Sequence, residues 1–320
     1  MNTSSTPPRV VSLLASATEI VAALGCVDWL VGRSHECDWP PTVQALPVVS
    51  HVTIAANLSS AAIDAEVKRR SAQANQVPSA AMQALSLYRL DVDMLRDLHP
   101  DVILTQTQCE VCAVSERDVT EALRQLTGMA PRVVSLAPYR LADVWHDVER
   151  VGQALGRADA AAALVSNYMA RLTALKGKQH SLKEWDHPPR VAMLEWLDPL
   201  MAAGNWTPEL VAIAGGDNIF GRLGEHSPWL TWDELSAADP DVIILAPCGF
   251  DLPRTLQDVP ILQAHPNWAT LKAVQTGHIY AADGNAYFNR SGPRLVESAE
   301  ILAEMLWGGT PREGVWMRRH

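Results

Sequence analysis

The 320-residue chain has no apolar run approaching the length of a membrane span and no cluster of lysines and arginines. The first absence excludes a spanning helix, which needs about 20 consecutive apolar residues. The second, together with a formal charge of −10, excludes a nucleic-acid footprint, because neutralising phosphates demands a basic surface. Beyond the short Ala158 to Ala163 stretch there is no low-complexity tract, and only 19% of residues are charged against 48% hydrophobic. That balance belongs to a folded chain rather than a disordered one. The opening residues MNTSSTPPRVVSLL show no basic segment followed by an apolar one, so a cytoplasmic protein is expected, and a periplasmic one only if an export signal precedes this sequence. The motifs G-x-S-x-G, H-E-x-x-H and G-x-x-x-x-G-K-[ST] are absent as well, and no catalytic constellation takes their place. Gly215-Gly216 follows a helical pattern, not a strand, and reads as a helix stop with a turn.

What is present begins with size. A chain of this length suits two domains of about 100 to 200 residues each. Self-similarity then sets the architecture. LRDLHPDVIL (95–104) and LSAADPDVIIL (235–245) share a helix end, a Pro-Asp turn and a buried strand. TEIVAALG (18–25) matches PELVAIAG (208–215), and each leads through a turn to Gly-Arg, at Gly32-Arg33 and Gly221-Arg222. Strand openings recur as PRVVSLL at Pro8, PRVVSLA at Pro131 and PRVAMLEW at Pro189. Two similarly folded lobes explain these pairs, the first enlarged by about 50 residues between Gly32 and Pro100. Short apolar strands alternating with helical patterns predict β-α-β units around parallel sheets. Residues 140 to about 180 carry helical signal, with Leu164, Tyr168, Leu172 and Leu175 on one face. The expected division is an N-terminal α/β lobe over 1–155, a linker helix over 156–186 and a C-terminal α/β lobe over 187–320.

Ligands of such sheets sit beyond the carboxyl ends of the strands, and the residues found there are unusually reactive or aromatic. GRSHECDWPP offers His35, Glu36 and Cys37, and TQTQCEVC offers Gln106, Cys109 and Cys112. MLEWLDP offers Glu195 and Trp196, LAPCGF offers Cys248, and DGNAYFNRSGPR offers Tyr287, Asn289 and Arg290. These twelve are the candidate ligand-binding residues, expected to converge on a cleft shared by the lobes. Five cysteines in a reducing compartment are free, ligating or catalytic rather than a disulfide framework. The C-x-x-C pair Cys109 and Cys112 is open to several readings. It is a candidate metal site completed by His35, Cys37 or Cys248, a redox pair, a pair of inert buried thiols, or part of the lining around a larger ligand. Cys26 reads as core. Arg290 could hold a carboxylate or phosphate through its planar fork, or cap the loop that follows. Trp145, Trp307 and Trp316 read as packing residues, and His51, His99, His146 and His265 as surface or satisfied core histidines.

SLLASATEIVAALG, GRSHECDWPP, LRDLHPDVILTQ, AGGDNIFG and AADPDVIILAPCGF together resemble the cobalamin and iron-siderophore class of solute-binding proteins that serve ABC transporters. The resemblance runs from about Arg9 to Leu306, and SHECDWP, QCEVCAVS, EWLDP and DGNAYFNRSGPR look most like its cobalamin-binding subgroup. It implies a class III solute-binding fold, with two Rossmann-like lobes joined by a long rigid helix and the ligand held in the cleft. It also implies ligand contacts near Glu36, Gln106 and the Tyr287 to Arg290 turn, and a permease-docking acid on each lobe at Asp93 and Asp233, each seven residues before Pro100 or Pro240.

The expected function is therefore non-enzymatic binding of a corrinoid, cobalamin first, by a monomeric solute-binding protein of an ABC-type system or a cytosolic variant of one. Trp196 and Tyr287 would form apolar walls, and Gln106, Asn289 and Arg290 would hydrogen-bond the ligand. No cofactor is required. Haem or a ferric siderophore are the other ligands of this class. The rival is a cytosolic metal- or redox-active protein, holding zinc or iron in the metal case, in which Cys109 and Cys112 work with Cys37 or Cys248.

Overall fold

The computed structural model describes residues 6–51, 58–74, 89–106, 120, 123–124, 128–177 and 185–319. Cys109 and Cys112 lie outside them. The chain divides into two compact units, one from residues up to 57, 65–138 and 142–166, the other from 58–64, 139–141 and 167–320.

The strands of the first unit are β1 (Val10–Ser12), β2 (Leu30–Arg33), β3 (Ser50–His51), β4 (Arg89–Leu90), β5 (Val102–Gln106) and β6 (Arg132–Leu136). β1, β2, β5 and β6 form a sheet in the order β2-β1-β5-β6, parallel throughout. Parallel strands covered on both faces need continuous apolar sequence, which is what Val10-Val11, Val102 to Leu104 and Val133-Val134 supply, all of them buried. Val11, Val49, Leu95, Ile103, Leu123 and Val133 make a common core.

The second unit contains β7 (Arg190–Leu197), β8 (Leu200–Ala202), β9 (Asp217–Asn218), β10 (Val242–Leu245), β11 (Ile279–Ala282) and β12 (Trp316–Arg319). Their order is β12-β11-β10-β7-β8, with β9 also beside β7. β9, β7, β10 and β11 are mutually parallel, whereas β8 and β12 run antiparallel. The sheet is thus mixed where the sequence predicts parallel strands. Only Asp198 and Pro199 separate β7 from β8, far too few residues for a parallel crossover, so the chain must turn back as a hairpin.

The sequence repeat recurs in the hydrogen bonding of the two units. The helices Val92–Leu98 and Trp232–Ala238 both end on a left-handed residue, His99 at φ 42° and Asp239 at φ 41°. In the first unit, the Arg9 guanidinium donates to Leu98 O and the Arg9 amide to the Asp101 carboxylate at 2.8 Å. In the second, the Arg190 guanidinium donates to Ala238 O and Asp239 O, and its amide to the Asp241 carboxylate at 2.8 Å. The Pro-Arg strand openings and Pro-Asp turns are therefore one device: an arginine satisfies carbonyls left over at a helix C-terminus while an aspartate registers the strand that follows. The Ala15–Ala23 and Thr207–Ala214 helices likewise stop before glycines with φ of 71° and 94°, Gly25 and Gly215.

The helical signal between the repeats resolves into Leu141–Ala154 and Ala158–Lys176, separated by a turn with Gly156 at φ 67°. The second helix contributes residues to both units, and Tyr168 and Leu172 on its predicted face are buried. No described helix is long and apolar enough to cross a membrane.

Candidate functional site

At the carboxyl end of β2 in the first unit, the chain turns through Ser34, His35, Glu36 and Cys37. The Ser34 amide donates to Ser12 O at 2.7 Å and the Cys37 amide to Ser34 O at 3.1 Å, which ties this turn to β1. Ser50 Oγ donates to Ser34 Oγ and faces His35 Nδ1, each at 3.0 Å. Ser34 Oγ in turn accepts the Glu36 amide at 3.3 Å. Two buried serines thereby orient the imidazole, whose Nε2 stands 3.8 Å from the half-exposed Glu36 carboxylate. Cys37 is buried and its Sγ accepts a hydrogen bond from Thr18 Oγ1 at 2.9 Å, so its thiol faces the interior of its own unit. Gln106 closes β5 and is exposed.

The second unit gathers the remaining candidates at the carboxyl ends of β7, β10 and β11. The Cys248 amide donates to Glu195 O at 2.9 Å, which brings the end of β10 to Glu195; Cys248 itself is exposed. Trp196 is buried, donates Nε1–H to Asp198 O at 3.0 Å, and tilts at 48° against Phe250 with ring centroids 5.1 Å apart. The Arg254 guanidinium lies 4.1 Å from the centroid of the Phe250 ring and is fixed by Asp258 at 2.6 Å and Leu58 O at 3.1 Å. Phe250 thus contacts both the Arg254 guanidinium of the Leu252–Gln263 helix and Trp196 at the end of β7.

The Glu195 carboxylate is half-buried. Its Oε2 accepts the Ser227 hydroxyl at 2.8 Å, and Ser227 Oγ accepts the Gly204 amide at 3.0 Å. Burial pushes the Glu195 carboxyl above its ordinary value; the Ser227 hydroxyl, His226 and the Gly204 amide pull the other way and do not prevail.

After β11 the chain makes a π-helical turn over Gly284–Phe288, a wound-out geometry often found at functional sites. Asp283 caps it, its Oδ1 accepting the Ala286 amide at 2.7 Å. A β-carbon on Gly284 would stand 2.2 Å from Pro247 O, so only glycine lets this turn press on the end of β10. Asn289 completes the attachment, donating to Ala246 O at 3.1 Å and to Gly284 O at 2.9 Å. Its amide therefore holds the loop. Tyr287 is half-buried under the Arg294 guanidinium, 5.3 Å from the ring centroid, and Arg290 is buried. Burial, reinforced by Asp251, raises the Asp283 carboxyl despite the Ala286 amide, Arg290 and Arg294.

The described candidates thus lie in two groups, each at strand carboxyl ends of its own unit. Among the described residues no group of three or more His, Cys, Asp or Glu side chains could hold a metal ion. Asp93 and Asp233 are both exposed and occupy the same position, second in the helices Val92–Leu98 and Trp232–Ala238. Asp93 pairs with Arg96 at 3.0 Å.

Residues 10–286 match the family model described as periplasmic binding protein. The chain belongs to that family. It is a solute-binding protein of the kind that serves ABC uptake systems, a class of binding proteins rather than enzymes. An uncharacterized ABC transporter substrate-binding lipoprotein of Bacillus subtilis is 22% identical, covering 96% of this chain and 82% of the relative. A vitamin B12-binding protein of Pectobacterium atrosepticum is 21% identical over 94% of this chain and 88% of its own length. The crystal structure of a periplasmic heme binding protein from Pseudomonas aeruginosa superposes with a TM-score of 0.70 at 20% identity, covering 98% of both chains.

Sequence reasoning missed Phe250, Arg254, Ser227, Ser34 and Ser50. Phe250 closes the LAPCGF segment and could have been found there as an aromatic just past a strand end. Ser227, in GEHSPW, lies far in sequence from Glu195 and carries no local signal.

Proposed function

We propose that this solute-binding protein takes a corrinoid, with cobalamin as the ligand to test first. The observation that carries the reading is the rim of the second unit. A half-buried tyrosine, a buried Trp196–Phe250 pair beside a guanidinium and a small number of fixed polar groups lie at the ends of three adjacent parallel strands. Apolar walls with few polar anchors are how large planar ligands are held. The vitamin B12-binding relative supports the corrinoid, and the heme-binding structure makes haem the next ligand to test.

In this reading Glu36 and Gln106 on the first unit, with Tyr287 and Arg290 on the second, contact the ligand. Trp196 and Asn289 hold the surface in shape, because both already spend their donors on backbone carbonyls. Asp93 and Asp233 are the docking acids for a permease. Titration of the purified protein with cobalamin, followed by visible absorption and by calorimetry, tests the proposal. A shifted corrin spectrum with saturable heat supports it; an unchanged spectrum without heat removes it. Elemental analysis of the protein as isolated tests the rival role for Cys109 and Cys112, where stoichiometric zinc or iron lost on Cys112→Ser would favour the metal reading.

A further inference from the structure

The carbonyl of Phe288 ends the π-helical turn without a helical partner. A helix continuing past it would offer the amide of residue 292, or of residue 293 in π geometry. The Gly292 amide is spent on Arg290 O at 2.9 Å, and Pro293 has no N–H. An indole takes their place: Trp206 donates Nε1–H to Phe288 O at 3.0 Å, from 82 residues away in the sequence. Resting on the function proposed above, we infer that Trp206 is a positioning residue for the ligand: by holding Phe288 O it presets the adjoining Tyr287 for contact with the corrinoid.

Three observations carry this. First, the turn packs by its ends. Gly284 and Phe288 are buried while residues 285–287 are partly exposed, so Tyr287 faces outward past the carboxyl end of β11, the side on which open α/β sheets take ligands. Second, the donor is built into a frame that cannot shift. Trp206 is buried and opens the Thr207–Ala214 helix, its carbonyl accepting the Glu209 amide at 3.1 Å and the Leu210 amide at 3.2 Å. Before it, Asn205 is left-handed at φ 52° and donates its amide to Glu225 O at 2.7 Å, and a β-carbon on Gly204 would stand 2.6 Å from that same carbonyl. An indole N–H only donates, so this bond has one polarity and one direction. Third, the attachments on either side of Phe288 share its purpose. Asn289 is tied to Ala246 O and Gly284 O, and the buried Ser298 hydroxyl donates to Tyr287 O, its own amide already serving Arg294 O at 2.9 Å. Side chains from separate elements thus hold successive peptide units of one turn. A surface ordered before the ligand arrives loses less freedom on binding. Without the indole N–H a buried carbonyl is left unpaired, and the turn must move to pair it again.

The test uses the full-length protein and cyanocobalamin, with affinity read by calorimetry and orientation by the circular dichroism of the bound corrin bands. Trp206→Phe, which keeps an aromatic ring and loses the N–H, should bind about tenfold more weakly. It should also alter the corrin-band dichroism at saturation, a change that lowered stability alone does not produce. In a Tyr287→Ala background the same substitution should cost less than about twofold, because residues acting through one another are not additive. Unchanged affinity and dichroism in a Trp206→Phe protein with a native far-ultraviolet spectrum overturns the inference, and so does an undiminished loss in the Tyr287→Ala background. Should Trp206→Phe not fold, benzothienylalanine in place of Trp206 keeps the shape of the indole with sulfur where the N–H was, and carries the same expectations. Failure of the wild type to bind cyanocobalamin sinks the corrinoid proposal, and a Tyr287→Ala protein that binds as tightly as wild type removes Tyr287 from the contact surface. Either takes this inference with it, and neither is confused with a failure of Trp206 itself.

Discussion

A half-buried carboxylic acid at a strand end costs the folded state something as pH rises. The folded value of Glu195 lies above its ordinary 4.5, so the native protein binds this proton more tightly than the unfolded chain. Its contribution is therefore complete below about pH 4.5 and is lost as pH climbs through the folded value. Glu195→Gln should remove that loss: relative to wild type, the variant gains stability between acid and neutral pH, which denaturant melts at pH 4, 5.5 and 7 will show. Gly284 makes a second prediction at this scale. Gly284→Ala drives a methyl into Pro247 O, so the 284–288 turn must lift from β10 at a cost of roughly 1–3 kcal/mol, measurable by thermal unfolding. Reactive and aromatic residues at strand ends were legible in the sequence because strand boundaries were legible. What each side chain does there was not. Asn289 donates to Ala246 O past the end of β10 and to Gly284 O of its own loop, and Cys37 turns inward to Thr18, and both outcomes depend on partners that only the folded chain brings near.

Elements were the most readable level. Continuous apolar runs marked β1, β5, β6, β7, β10 and β11 because both faces of a parallel strand are covered, and Gly25 and Gly215 marked helix ends because φ above zero favours glycine. Short edge pieces escaped. β8 and β9 hold three and two residues, too few to show a period, and the antiparallel pairing of β8 and β12 makes the second sheet mixed. The capping box of the Trp232–Ala238 helix was also hidden in plain sequence: Thr231 Oγ1 accepts the Glu234 amide at 3.2 Å while the Glu234 carboxylate accepts the Thr231 amide at 2.8 Å. Thr231→Ala should cost about 1 kcal/mol. Hydrogen exchange would locate the loss in the first turn of this helix, with no change in ligand affinity.

For the molecule as a whole, the duplication supplies the architecture and places an exposed acid at the same helix position in each unit. If the exposed acids at matching helix positions dock onto a permease, reversing both with Asp93→Lys and Asp233→Lys should leave cobalamin affinity unchanged. The same double variant should abolish stimulation of the permease's ATPase, with single variants intermediate and the wild-type effect weakening as salt is raised. The arginine-and-aspartate anchor at the start of each sheet has a different use, since one chain carries the experiment and its own control. Asp101 is solvent-facing, while its counterpart Asp241 is buried and also receives the Lys272 ammonium at 2.5 Å. Burial alone would raise the Asp241 carboxyl, but Lys272 and the Arg190 amide hold it below its ordinary 3.8, so its stabilisation persists above that value and fades as acid is added. Asp241→Asn should therefore cost about 1 kcal/mol more than Asp101→Asn at neutral pH, a gap that narrows below about pH 3.8. The difference weighs the Lys272 ammonium together with the burial of Asp241, with solvent, temperature and preparation held common by the molecule itself.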